Sequence, residues 1–171
     1  MDCADMKTIL ETEEGQPKAK EVLSRISIGK NLSDAENQTS FSCSELAASA
    51  VYFLGTQDYK SADLILSQLE KSNTGAPVLF LRGEYHLLLG NNTEAEQFFD
   101  QAARKNRAFW PAFYRSALMA AEDNRVRYEY KIKKACDSLE LGREFHYECF
   151  MGGFSPDYFK RVLSRRLEEK K

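Results

Sequence analysis

When the sequence is displaced by 33 residues, three of its segments fall into register. Ala50, Gly83 and Ser116 become equivalent, each a small residue in the middle of a stretch with helical periodicity. Leu46, Leu79 and Ala112 precede them by four positions, one turn earlier on the same face. Ala62, Ala95 and Tyr128 follow twelve positions later, at the start of a second helical stretch. Leu66, Phe99 and Ile132 come four residues after these, and Leu69, Ala102 and Ala135 seven. An i, i+4, i+7 set of this kind is the buried stripe of an amphipathic helix. β-branched runs and period-two alternation are almost absent, so the expected fold class is all-α.

Local signals bound the helices. Gly55, Gly75 and Gly90 punctuate segments of about four turns. Ser42 and Glu45 have the S-x-x-E spacing of a capping box, with Phe41 and Leu46 at the flanking staple positions. Order is therefore expected from Phe41 onward. Residues 1–40 read as an acidic, flexible segment interrupted by Pro17, with a short amphipathic helix available between Lys18 and Ile28. After Leu139 the period is lost. Ser155, Pro156 and Asp157 then supply an N-cap, a proline at N1 and an acid at N2, which start a final helix. Its apolar residues include Phe159, Val162 and Leu163, and its basic face and tail include Lys160, Arg161, Arg165, Arg166, Lys170 and Lys171.

Charge is unevenly spread. Residues 1–100 hold 8 Lys and Arg against 16 Asp and Glu, whereas residues 101–171 hold 16 against 10. The overall balance of −2 is a cancellation; the split is first read as solvated helix faces, and otherwise as a means of steering an acidic partner or a nucleic acid toward the C-terminal half. No apolar run approaches the roughly 20 residues of a spanning helix, so no membrane insertion is expected. The N-terminus has no apolar signal-peptide core, and the four cysteines show no C-x-x-C spacing, which points to a reduced, cytoplasmic protein.

The 33-residue pattern resembles the tetratricopeptide repeat (TPR). The middle unit matches best, through Leu79, Gly83, Gly90, Ala95, Phe99 and Ala102. The period is one residue short of the family's usual 34, the terminal proline is missing, and Tyr128 stands where a small residue is usual. The resemblance implies about three antiparallel helical hairpins over residues 43–140, forming a short right-handed solenoid with residues 141–171 as a capping region. It also implies a groove lined by the first helix of each hairpin. Carried over position by position, that groove takes Ala47, Val51 and Leu54 from the first unit, Phe80, Glu84 and Leu87 from the second, and Trp110, Phe113, Ala117 and Ala120 from the third. Trp110 and Phe113 can serve either as partner anchors or as seals between the second and third hairpins.

Residues with catalytic potential are sparse. His86 falls inside a helix, and His146 and Cys149 stand at i, i+3 without further ligands. Gly152 and Gly153 precede a helix whose Ser-Pro-Asp start already accounts for a turn there. There is no G-x-S-x-G, P-loop or G-x-G-x-x-G after a strand. The expectation is no catalytic site, no metal and no cofactor.

A second resemblance covers about the last sixty residues. The stretch Tyr147 to Leu167, together with Trp110 to Ala117, is similar to the C-terminal repeat region of TPR-bearing chemotaxis receptor methyltransferases. In that family an S-adenosylmethionine-dependent domain methylates receptor glutamates while the repeats contact proteins. The chain has no glycine-rich cofactor loop. The expected function is a non-enzymatic adaptor in chemotaxis-type signalling that binds a peptide or protein; the alternative is an accessory part of such a methyltransferase. Nucleic acid is the weaker partner, because the aromatic residues occupy apolar helix positions and do not alternate with basic ones.

Overall fold

The computed structural model describes residues 15–29, 41–120, 125–145 and 147–168. These form eight α-helices and two 3₁₀ turns, with no strand among the described residues. The chain divides into two compact units, Met1–Thr74 and Gly75–Lys171, and that boundary falls inside the 41–171 span expected as one block.

The first unit contains α1 (Gly15–Gly29), α2 (Cys43–Gly55) and α3 (Tyr59–Ser72). Ser42 caps α2 as expected. Its Oγ accepts from the Glu45 N–H at 3.2 Å, and the Glu45 carboxylate accepts from the Ser42 N–H at 3.0 Å. These bonds to Ser42 hold the Glu45 carboxyl below its ordinary range. Leu46, Ala47, Ala50 and Phe53 of α2 are buried, as are Ala62, Ile65, Leu66 and Leu69 of α3, and the two helices pack together. The flexible segment expected over residues 1–40 does not extend through α1. Ala19 and Val22 are buried, α1 packs on α2 and α3, and Lys18 pairs with Glu45 at 3.2 Å. The rest of that segment, residues 1–14 and 30–40, lies outside the described residues.

The second unit contains α4 (Ala76–Leu88), α5 (Asn92–Lys105), α6 (Trp110–Met119), α7 (Arg125–Leu141) and α8 (Pro156–Glu168). The 3₁₀ turns Arg143–Phe145 and Tyr147–Met151 separate α7 from α8. Gly83 is where α4 meets α5: a Cβ there would stand 2.6 Å from the Phe99 ring. Fully buried Phe80 meets Phe99, Phe109 and Phe150 at ring-centroid distances of 5.5, 5.5 and 5.9 Å. Each such aromatic pair contributes about 0.5–1.5 kcal/mol beyond its buried area. Phe159 of α8 covers Trp110 at 5.1 Å and Tyr114 at 4.7 Å.

The turn after α2 recurs after α4 in every backbone bond that defines it. Asp58 N–H donates to Phe53 C=O at 3.0 Å and Gln57 N–H to Leu54 C=O at 3.2 Å. Thirty-three residues later, Asn91 N–H donates to His86 C=O at 2.9 Å and Gly90 N–H to Leu87 C=O at 3.0 Å. This is the Schellman pair of bonds, which needs a left-handed residue just past the helix. Gly90 takes φ +80° without steric penalty, but Gln57 must take φ +60°.

Close approach governs a second glycine. Ser138 Oγ donates to Arg107 C=O at 2.8 Å, which lays the end of α7 across the 106–109 turn. A Cβ on Gly142 would then overlap the Ala108 carbonyl oxygen, a backbone atom that cannot swing aside, and stand 2.9 Å from the Trp110 ring. Replacing Gly142 with Ala is expected to lower stability by about 3 kcal/mol. Gln57→Gly should raise it by about 0.5–1 kcal/mol by relieving the left-handed strain. Urea unfolding midpoints measure both, and a stabilised Gly142→Ala variant would contradict the close crossing.

Candidate partner-binding surface

The expected groove residues fall into two sets, one in each unit. In the first unit, Ala47 and Leu54 of α2 are buried and Val51 is half-buried. In the second, Phe80, Trp110 and Ala117 are 0% exposed and Ala120 is also buried. None of these four offers a surface to a partner. Phe80 holds the aromatic core, while Trp110 is sealed by Phe159 and the Gly142 crossing. Of the two roles open to Trp110, its burial fits the seal, and α8 supplies part of that seal through Phe159. The Trp110 Nε1–H has no hydrogen-bond acceptor among the described residues.

Phe113 is half-buried. It lies three residues after Trp110 and four before Ala117, on the interior side of α6. Arg115, two residues on, is turned about 200° away.

Glu84 is where the sequence placed it, on α4, but it is not a free carboxylate. Arg115 of α6 grips it with two hydrogen bonds, Nε to Oε1 at 2.6 Å and Nη2 to Oε2 at 2.8 Å. Burial raises the Glu84 pKa above 4.5, and the attraction of Arg115 offsets part of that rise. Leu87, one turn along α4, is half-buried, and Leu88 beside it is 45% exposed. On α6, Leu118 stands one turn after Arg115 and is half-buried. The accessible part of the α4–α6 face is thus Leu87, Leu88 and Leu118 around a neutralised ion pair.

A second polar cluster joins α5, α6 and α7. Lys131 Nζ donates to Glu96 at 2.6 Å, Asp100 at 3.3 Å and Ser116 Oγ at 2.8 Å. Ser116 Oγ in turn donates to Asp100 at 2.6 Å. A serine beside a lysine is the geometry of some nucleophilic sites. Here Lys131 Nζ is shared among Glu96, Asp100 and Ser116, and the Ser116 hydroxyl is turned to Asp100. Ser116 is also buried, and the cluster works as a bolt between helices.

Arg115 and Lys131 escaped the sequence reading, yet a signal for them existed. Their acidic partners stand 31 or 35 residues away, close to one repeat period. Pairing charges across the period would have found them.

Among the other reactive groups, the His86 ring stacks on Phe98 at 5.2 Å, with Nδ1 buried and lacking a hydrogen bond among the described residues. His146 lies outside the described residues. Cys43 and Cys136 are free thiols, and burial pushes the Cys136 thiol up, away from thiolate chemistry. The described residues contain no group of three or more His, Cys, Asp or Glu side chains able to hold a metal ion. No described helix is long and apolar enough to cross a membrane. In comparisons with known proteins, no family model, curated protein or solved structure matches the chain.

The Glu84–Arg115 pair has a pH signature. A carboxyl with a raised folded pKa stabilises the fold most below its unfolded value, near 4.5, and that contribution is lost as pH rises through the folded value. Arg115→Met removes the cation and leaves the buried carboxylate uncompensated at neutral pH. The expected cost at pH 7 is about 2–4 kcal/mol, shrinking toward pH 5 as Glu84 takes up a proton. Urea titrations of both proteins at the two pH values check the sign; a cost that grows on acidification would refute it.

Proposed function

We propose that the chain is a TPR-like helical-repeat module that binds a protein or peptide partner and does no chemistry of its own. The observation that carries this reading is the helix-terminating turn that recurs, bond for bond, at an interval of 33 residues in Phe53–Asp58 and His86–Asn91. It accompanies the small-to-large contact of Gly83 with Phe99 at the repeat's expected position. Helical repeats of this kind serve as binding surfaces, since each unit presents an outer helix face that packing leaves uncovered.

In the second unit the partner-facing residues of this reading are Leu87 and Leu88, backed by Glu84 and Arg115. Their location alters the roles of the expected anchors. Phe80 and Trp110 support the surface from beneath, and affinity comes from apolar contact at the exposed end of α4. Val51 is the accessible member of the corresponding set on α2.

The proposed setting, chemotaxis-type signalling, rests on the similarity of Tyr147 to Leu167 to the repeat region of chemoreceptor methyltransferases. A purified methyltransferase catalytic domain, assayed on its receptor with and without the chain, separates adaptor from accessory subunit. Altered turnover favours the accessory role.

The surface itself is tested by affinity capture with the intact chain. Leu87→Asp with Leu88→Asp should abolish retention of a partner held by the unsubstituted protein, with far-UV circular dichroism unchanged. Phe80→Ala and Trp110→Ala should instead cost about 3–5 kcal/mol of stability. Unchanged capture by the Leu87/Leu88 variant would remove the α4–α6 face from the proposal.

A further inference from the structure

We propose that the outward face of α8 is a docking site for a short acidic peptide segment of a partner protein, one carrying an apolar residue beside its carboxylates. This rests on the reading of the chain as an interaction module and assigns that module a second surface, remote in sequence from Leu87.

The face is built from one helical stripe. Tyr158, Arg161 and Arg165 stand at i, i+3 and i+7 and are all exposed. Neighbouring charges are already used: Asp157 accepts two bonds from Arg143 at 3.0 and 2.9 Å, and Lys160 is bonded to Glu140. Arg161 and Arg165 make no ion pair or hydrogen bond with any described residue, so two guanidinium forks are left open. An apolar element lies next to them. Gly152 and Gly153, at φ +67° and +78°, turn the chain so that Phe154 stacks on Tyr158 at 4.9 Å. These two rings remain 55% and 42% exposed. An open depression of about 670 Å³ follows the helix, lined by Asp157, Lys160, Arg161, Ser164, Arg165 and Glu168.

The number of open cations selects the ligand. Nucleic-acid affinity rests on about 6–10 phosphate contacts, and recognition of an anionic bilayer rests on clusters of about 4–8 Lys and Arg. The two open arginines of this face fall short of both. Two arginines one turn apart match two carboxylates of a peptide, each able to take a bidentate grip. The Phe154–Tyr158 pair supplies the apolar contact that exposed ion pairs, weak by themselves, need for useful affinity.

The test uses the full chain and a fluorescein-labelled dodecamer of glutamate with two central leucines, followed by fluorescence anisotropy. Saturable binding with Kd on the order of 100 µM is expected. Arg161→Glu with Arg165→Glu should weaken it at least tenfold, and Phe154→Ala with Tyr158→Ala severalfold. The charge-reversed variant should in turn bind a lysine version of the peptide. Absence of saturable binding, equal binding of a glutamine version, or indifference to the arginine substitutions overturns the proposal. So does tighter binding to phosphatidylserine vesicles or duplex DNA than to the peptide. If the arginine substitutions leave peptide binding intact while Leu87→Asp with Leu88→Asp abolishes partner capture, the α8 site fails and the module reading stands.

Discussion

The ring of Phe80 is the point on which the second unit converges. It lies on α4, yet it touches α5 through Phe99, the entry to α6 through Phe109, and the second 3₁₀ turn through Phe150. Residues separated by as many as seventy positions are thus held by one side chain with no accessible surface. Two glycines make that convergence possible by giving up their own volume. Gly83 lets Phe99 come close enough to reach Phe80, and Gly142 lets the chain cross the turn that presents Phe109 and Trp110. Close packing leaves such junctions intolerant of even one added methyl group.

Polar contacts reinforce the same helices in a different way. Glu84 with Arg115, Glu96 with Arg127 and Lys131, and Asp100 with Lys131 all link one helix to another about one period along the chain. These charges consume one another, so the α4–α6 face and the α5–α7 seam are close to neutral. The charge excess of residues 101–171 is consequently not spread over the whole unit. Part of it is expressed on α8, where Arg161 and Arg165 are left over after Glu140 and Asp157 have found partners.

Sequence reasoning reached the elements and their ends because those are fixed by neighbours. The Ser42 capping box, the Pro156 start and the Gly90 stop each depend on residues within one or two turns, and each is present. It also found the Gly83 position, since periodicity exposes a small residue where a large one should be. Burial across helices was harder to read. A repeat template assigns Phe80 and Trp110 to an open groove, but Phe150 and Phe159 come from the stretch after the period is lost, and no periodic rule announces that they fill it. The helix between Lys18 and Ile28 was legible but its docking was not: its buried residues Ala19 and Val22 are too few to give a strong stripe, and its contact with α2 and α3 is what makes it part of the unit. The division at Thr74 is not marked by any change in repeat pattern, because the pattern runs through it.

Trp110 is the one tryptophan in the chain, and a ring from the final helix lies against its indole. Its emission therefore responds to the seating of α8. Exposure of that indole to water would shift its fluorescence to longer wavelength while the remaining helices kept their circular dichroism. The molecule carries its own optical probe for whether its C-terminal end is open or shut, and no label has to be added to read it.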